Sequence, residues 1–560
     1  MTLDARLARL CGGWRGPALA ALIAFLAGLP GLLAAPPLDR DESRFAQATA
    51  QMLESRDFVV IRYQDEPCFK KPVGIHWLQA ASVSLFSDPE ARAIWAYRLP
   101  SLLGAMLAAA ACAWGAAAFF GPQGGLLAGA MLGATVLLST EAMIAKTDAM
   151  LCGTTTLAMA ALGRIYAAAR DGRPAQRRAV WLFWVAIGAA ILIKGPIGPM
   201  TAALAILLLA ILDRKPGWLV RMQWWWGLMI VAVIVGPWAG AVTVATDGAF
   251  WTAAFGGDLA PKLAGGQETH GAPPGYHTLL TPLLAFPMTL MLPAALVTAW
   301  RRRQEPGVRF AITWLIPVWL VFEAMPTKLV HYPLPTYGAL AWLAAAALQQ
   351  PIGAGARWIG AALSGLVGLA LAGATFYILS TYGDASDYPA AILAAVLLAA
   401  AGLVGAGLLA RNAPREAVIA AITLGALGHA ALLAGLAPRL EPLWLSARVE
   451  RAMEQARLLP RQGVADAPVA VTGYAEPSLV FALGTATELT TPQAAAQAIA
   501  DNRPAVVEGR EEAEFSAALA TLGVRAQQVG EVSGLDYSNG DQMRLRIYQA
   551  PKPAGQGAAP

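Results

Sequence analysis

Apolar runs recur along the first four-fifths of this chain, and most are of a length that crosses a bilayer. A spanning helix needs roughly 17–25 predominantly apolar residues. Runs of about that size fall near 17–35, 99–119, 124–140, 149–168, 179–194, 196–212, 223–245, 278–299, 309–325, 333–349, 357–380, 389–410 and 416–437. The pattern predicts an all-α polytopic membrane domain of about thirteen transmembrane helices. Only 14% of the residues are charged, against about 25% in soluble domains. The first run follows Arg6, Arg9 and Arg15 without a cleavage site and reads as a retained signal anchor.

Basic loops set the expected orientation. The clusters at 170–178, 214–221, 301–309 and 411–415 alternate with the remaining loops and share a side with the basic N-terminus, which places them in the cytoplasm. The loops at 36–98, around Lys146 and Lys194, at 246–277, around Lys328 and at 381–388 then lie outside, as does everything after an odd number of spans. The loop 36–98 is basic and yet outside, against the usual bias, so its charges call for a reason beyond topology. Four cysteines (Cys11, Cys68, Cys112, Cys152) form no CxxC pair and indicate neither a disulfide framework nor a thiolate metal site. A net charge of +5 carries no nucleic-acid signal.

The character changes near residue 440. The transmembrane domain covers 1–440, an amphipathic linker helix is expected over 441–460, and short strands alternate with helices up to 550. That alternation predicts a small extracytoplasmic α/β domain over 441–550, with a disordered Pro/Gly/Ala tail at 551–560.

Chemistry-bearing residues gather in the outer loops. Asp39-Arg40-Asp41-Glu42 opens a helix running to about Glu54, whose Phe45, Ala48, Met52 and Leu53 recur at helical spacing. That helix is expected to lie along the membrane surface. Acids at a helix start also suit capping and the dipole, but three acids beside Arg40 and Arg44 exceed that need. Lys70-Lys71-Pro72 precedes another helical stretch, and two ammonium groups outside a helix N-terminus make an anion site. Headgroup binding by the same lysines is the alternative. Asp148 sits at a helix start after Thr147, where capping and function compete. Glu268, His270 and His277 offer metal ligands without a tight spacing, so a divalent metal stays open and no cofactor is assigned. Lys328, His331 and Tyr332 lie between two prolines at the membrane edge. Span interiors hold almost no ionisable residues; Glu323 and His429 fall near ends. Carriers usually place such residues at the midplane, so the distribution favours an enzyme working at the outer membrane boundary.

Together, Asp41-Glu42 in DESRFA, the KKP element, the TDAM aspartate Asp148, and Lys328, Tyr332, Leu334 and Pro335 in K-x-x-x-Y-x-LP resemble the polyprenyl-phosphate-sugar-dependent membrane glycosyltransferases of the GT-C fold. The likeness covers roughly residues 15–345. It is nearest to the lipid A aminoarabinose transferases, with the protein O-mannosyltransferases more distant. Those aminoarabinose transferases carry an acid where this chain has Lys70.

The resemblance implies a glycosyltransferase acting as a monomer in the bacterial inner membrane. It would move a sugar from undecaprenyl phosphate to a lipid A or lipopolysaccharide acceptor. Catalysis would fall to Asp41, Glu42 and Asp148. The donor phosphate would be held by Lys70, Lys71, Arg62 and Lys328, and the pocket shaped by Arg44, His331, Tyr332 and His270, with Glu268 and His270 open as metal ligands. Transfer to protein Ser/Thr or another lipid, and a lipid-linked sugar flippase or transporter, remain alternatives.

Overall fold

A computed structural model describes residues 11–259, 271–463 and 468–551. Glu268, His270 and the tail beyond 551 lie outside the described residues. The membrane part begins with α1 (Arg15–Ala34), α2 (Asp41–Ser55), the antiparallel hairpin β1 (Arg62–Tyr63) and β2 (Glu66–Pro67), and α3 (Gly74–Phe86). There follow α4 (Ile94–Gly133), α5 (Val136–Glu141), α6 (Asp148–Arg170), α7 (Arg177–Lys194), α8 (Ile197–Asp213), α9 (Trp224–Ala245) and α10 (Ala249–Thr252). The second half holds α11 (Tyr276–Leu284), α12 (Leu292–Arg301), α13 (Pro306–Ala324), α14 (Tyr337–Ala347), α15 (Ala354–Tyr382), α16 (Tyr388–Ala410) and α17 (Pro414–Ala430).

Every expected apolar run is helical, yet among the described residues only seven helices are long and apolar enough to cross a membrane alone. An eighth arises if Tyr276–Leu284 and Met288–Arg301, bent by 115°, form one broken span. The difference from thirteen has local causes. α4 joins two runs across a kink at Gly121, where φ is 72° before Pro122. α7 carries Arg177, Arg178 and Lys194, while α8 and the Leu334–Ala347 segment are short. The chain is a multi-pass membrane protein. Its helices pack through small residues, as is usual in lipid: a Cβ on Gly104 would fall 2.5 Å from the backbone of Met150, so α4 and α6 touch main chain to main chain.

The bundle has two unlike ends. At one, Asp213 accepts from Tyr166 Oη at 2.7 Å and pairs with Arg309 and Arg170. Exposed Trp14, Trp181, Trp225, Trp226 and Trp358 at helix starts and Trp300 at a helix end fall on this side of the bundle, as aromatic residues do at a membrane–water interface. The other end carries α2, α3, the 142–147 loop, Lys194, the 325–333 segment and the C-terminal domain. α1 crosses from one end to the other, so Arg15 and the C-terminal domain stand at opposite ends of the bundle.

The C-terminal domain runs α18 (Leu445–Gln455), β3 (Ala470–Thr472), α19 (Pro477–Leu483), β4 (Glu488–Leu489), α20 (Pro492–Ala500), β5 (Ala505–Glu508), α21 (Glu512–Leu522), β6 (Gln527–Asp536) and β7 (Asp541–Gln549). Its sheet has the order β4-β3-β5-β7-β6, parallel about β3 and antiparallel from β5 onward. Two expectations change here. The helix expected as a linker is core: Leu445, Val449 and Met453 of α18 are buried in one cluster with Val471, Leu545 and Ile547 of the sheet. The long strands β6 and β7 form a hairpin with no helix between them, where strand is expected to alternate with helix; β6 carries two glycines, Gly530 and Gly534, and a mostly exposed face.

The α2 helix does not simply rest on the membrane surface. Eight of its residues are buried, among them Glu42, Gln47 and Thr49, because α2 is wedged between the bundle and the C-terminal domain. Gln47 Nε2 donates to Thr485 Oγ1 at 2.7 Å, Arg40 donates to the Ser538 carbonyl at 2.6 Å, and the Ser478 hydroxyl donates to Asp39. Phe481 packs edge-on against Tyr97 with ring centroids 5.3 Å apart. Much of the charge and aromatic content of the 36–98 loop serves this docking.

Candidate active site

Three helix termini meet at the domain-bearing end. α6 starts at Asp148, α7 ends at Lys194, and the irregular segment after α13 brings His331 and Tyr332 between them. Lys194 stands at the last turn of α7, where a cation suits the helix dipole, and Gly195 with φ 64° then reverses the chain. α3 approaches α7 closely because Gly74 has no side chain; a Cβ there would lie 2.7 Å from the Leu192 carbonyl oxygen. That contact carries the preceding Lys70-Lys71-Pro72 to the same spot. These residues line a cavity of about 160 Å³, walled on one side by Phe250, Trp251, Phe255 and Phe322. The aromatic wall is cohesive: Trp238, Phe250 and Trp251 stack edge-to-face at centroid distances of 5.1 and 5.0 Å.

At the cavity floor lies a buried network of alternating charge. Lys194 Nζ is 2.5 Å from Asp148 Oδ1, Lys146 Nζ is 3.1 Å from Glu141 Oε1 and 3.7 Å from Asp148 Oδ2. The His331 ring bridges the two acids, with Nδ1 3.7 Å from Glu141 and Nε2 3.6 Å from Asp148. Burial pushes His331 well below the usual imidazole range, so the ring is neutral at neutral pH. Burial alone would lower Lys146, but the carboxylates of Glu141 and Asp148 outweigh it and hold this ammonium above its ordinary value. Lys194 also lies 5.9 Å from the centre of the Tyr332 ring.

Of the residues expected from sequence, Asp148, Lys70, Lys71, His331 and Tyr332 share this cavity. Asp41 stands exposed at the start of α2, near enough for its charge to act on Lys146. The others sit elsewhere, for clear reasons. Glu42 is fully used in the interior: Arg98 grips both its oxygens at 2.8 and 2.7 Å, and the backbone N–H groups of Leu38 and Ala145 donate to it at 2.8 and 2.7 Å. It is a structural clamp and has no free lone pair for chemistry. Lys328 is buried and turns back on α13, donating to the carbonyls of Glu323, at 2.9 Å, and Met325; it caps a helix C-terminus. Arg44 lies over the Tyr63 ring at 5.8 Å, and Arg62 is exposed on β1, outside the cavity lining. Glu268 and His270 lie outside the described residues. His277 is buried, beside Thr278, whose backbone N–H Glu323 accepts at 2.9 Å. Among the described residues no group of three His, Cys, Asp or Glu side chains is arranged to hold a metal ion.

Sequence reasoning overlooked Glu141, Lys146 and Lys194 as members of the site. The signal was there for Lys194, the single charged residue between Arg178 and Asp213. A lone ammonium in so apolar a stretch needs a partner at the membrane edge.

Known proteins share sequence and fold with this chain. A family model described as dolichyl-phosphate-mannose-protein mannosyltransferase matches residues 39–253, the segment from α2 to the aromatic wall. An undecaprenyl phosphate-alpha-4-amino-4-deoxy-L-arabinose arabinosyl transferase of Aeromonas salmonicida is 28% identical over 345 residues, 60% of this chain and 61% of the relative. Its counterpart in Edwardsiella ictaluri is 26% identical over 66% of each chain. This chain therefore spans just under two thirds of these relatives' length. The crystal structure of ArnT from Cupriavidus metallidurans bound to undecaprenyl phosphate superposes with a TM-score of 0.74 at 20% identity, over 95% of this chain and 96% of that one. The chain thus has the GT-C membrane fold of ArnT and is similar in sequence to the aminoarabinose transferases and the protein mannosyltransferases.

Proposed function

We propose that this chain is a membrane glycosyltransferase. It transfers a sugar from a polyprenyl-phosphate donor of the undecaprenyl type to a lipid A or lipopolysaccharide acceptor. The reaction takes place at the outer face of the bacterial inner membrane, with the N-terminus cytoplasmic and the C-terminal domain periplasmic, and the chain acts as a monomer. The observation that carries the reading is the cavity in which Lys70, Lys71 and Lys194 stand beside Asp148, His331 and Tyr332 under an aromatic, apolar wall. Cations at the rim suit a phosphate, and Phe250, Trp251, Phe255 and Phe322 suit the isoprenoid units behind it. The similarity to arabinosyl transferases named for an undecaprenyl phosphate donor supports the same donor class.

In this reading an oxygen of the acceptor attacks the anomeric carbon, the bond from that carbon to the phosphate oxygen breaks, and the lipid phosphate leaves. Lys71 and Lys194 stabilise the charge that develops on the departing phosphate, usually a large share of catalysis. Asp148, held by Lys146 and Lys194, fixes the position of the Lys194 ammonium. Asp41, exposed beside this network, takes or orients the acceptor proton. Transfer to a protein hydroxyl or another lipid would change only the acceptor side. A transporter is less well supported, because the buried charge clusters, Asp148 with Lys194 and Asp213 with Arg309, lie at the helix ends and not midway along the spans.

The test is sugar transfer by the purified chain from an undecaprenyl-phosphate sugar to lipid A, read as a mass increase. Asp41→Asn is expected to stay folded and inactive, and Lys71→Ala to weaken donor use far more than acceptor use. Full turnover by Asp41→Asn would remove that residue from the mechanism. A wild-type chain that glycosylates proteins and leaves lipid A unmodified would overturn the acceptor.

A further inference from the structure

A second, larger cavity of about 910 Å³ opens at the opposite end of the bundle, between the start of α1, the middle of α4 up to and past its Gly121 kink, and the α6–α7 turn. Its deep walls are apolar: Leu107, Ala110, Ala117, Leu126 and Leu157. Its polar end holds two guanidinium groups, Arg164 and Arg173, and no Asp or Glu lines it among the described residues. Arg164 is fixed in place, lying 4.7 Å over the Trp114 ring and donating from NH1 to the Trp114 carbonyl at 2.8 Å. Its Nε is buried without a hydrogen-bond partner, and Arg173 is near enough to repel it. Arg173 itself reaches Asp171 on the exposed side of the turn. Two like charges, one with an unused buried donor, beside an apolar shaft that runs toward the bilayer midplane, describe a place for an amphiphile with an anionic head.

We infer that this cavity binds an anionic phospholipid, its phosphate between Arg164 and Arg173 and its acyl chains along Leu107 and Leu157. A free anion would leave the apolar shaft unfilled, and a zwitterionic lipid would bring its own cation to the two arginines. The site lies across the membrane from the candidate active site and is independent of the reaction proposed there.

Native mass spectrometry of the full chain, titrated with phosphatidylglycerol or phosphatidylcholine, tests it. The wild type is expected to retain phosphatidylglycerol with about a tenfold preference, of the order that two arginines give near an anionic surface. Arg164→Gln/Arg173→Gln should bring the two lipids within about twofold of each other on the same basis. Ala117→Phe keeps both arginines and fills the shaft, and should reduce retention of both lipids. No preference in the wild type, or a preference that survives the double substitution, overturns the inference. So does inorganic phosphate displacing the lipid at equal concentration, or lipid uptake that appears only when residues 1–10 are deleted, which would assign the cavity to that segment.

Discussion

Lys194 Nζ and Asp148 Oδ1 lie 2.5 Å apart across the ends of two antiparallel helices, both side chains mostly buried. Lys146 sits 3.7 Å from the other oxygen of the same carboxylate, so Asp148 divides its charge between two ammonium groups. One of them faces the cavity. Under the proposed function, that paired ammonium is the cation that meets the donor phosphate.

Lys194→Ala should therefore reduce turnover with a lipid-phosphate donor about 100-fold or more, the usual cost of removing one preorganised charge-stabilising group. Lys194→Arg should recover part of it, since the charge returns with a different reach. The measurement is kcat and KM for the donor on protein shown by circular dichroism to be folded. A change confined to acceptor KM would place Lys194 outside the donor site.

Glu42→Gln should act on stability instead. Glu42 and Arg98 are both buried, and breaking such a pair by removing one charge costs about 3–5 kcal/mol. The variant is expected to lose several degrees of Tm and much of its yield, while turnover per folded molecule stays near wild type. Asp41→Asn, one residue earlier and exposed, should show the opposite pattern. Comparing Tm and turnover for the two variants separates a clamp from a participant.

The membrane architecture was legible because apolar runs and their interruptions leave little freedom; every run expected as a span is helical. The site was half legible. Asp148, Lys70, Lys71, His331 and Tyr332, which share one cavity, each stand out in the sequence against an apolar background or beside proline. Glu42 looked the equal of Asp41 in sequence, and only the position of Arg98, more than fifty residues away, shows which acid is consumed in the interior. Nor does the sequence show that Lys328 turns back on its own helix, where an ammonium can serve the last carbonyls. The docking of the C-terminal domain onto α2 was invisible, since nothing local announces that Gln47 and Thr485 meet.

Docking of that domain should weaken as pH rises. Burial raises the Asp39 carboxyl to about 7; the hydroxyls of Ser478 and Tyr537 oppose this, and the charges of Glu476 and Asp536 add to it. A carboxyl whose folded value lies above its unfolded one binds more protons in the folded state. Its contribution is full below the unfolded value near 3.8 and is lost as pH climbs through about 7. Hydrogen exchange in α19 should thus be slower at pH 5 than at pH 8 once intrinsic rates are corrected. Asp39→Asn should flatten that dependence. An unchanged pH profile in Asp39→Asn would assign the effect to Glu476.

Gly74→Val tests whether close packing of α3 sets the donor site. A side chain there meets the Leu192 backbone, with Cβ 2.7 Å from the carbonyl oxygen and 2.8 Å from its carbon, and neither atom can swing aside. α3 must move away from α7, taking Lys70 and Lys71 from Lys194. The strain should cost about 1–3 kcal/mol of stability, and donor KM should rise several-fold while acceptor KM holds. A second substitution that shortens the facing side chain, Leu192→Ala, keeps the Leu192 carbonyl and Cβ and so relieves none of the contacts at 2.7, 2.8 and 3.0 Å; it should rescue little. Full rescue by Leu192→Ala would mean that side-chain packing, and not the approach of the two main chains, positions the lysines.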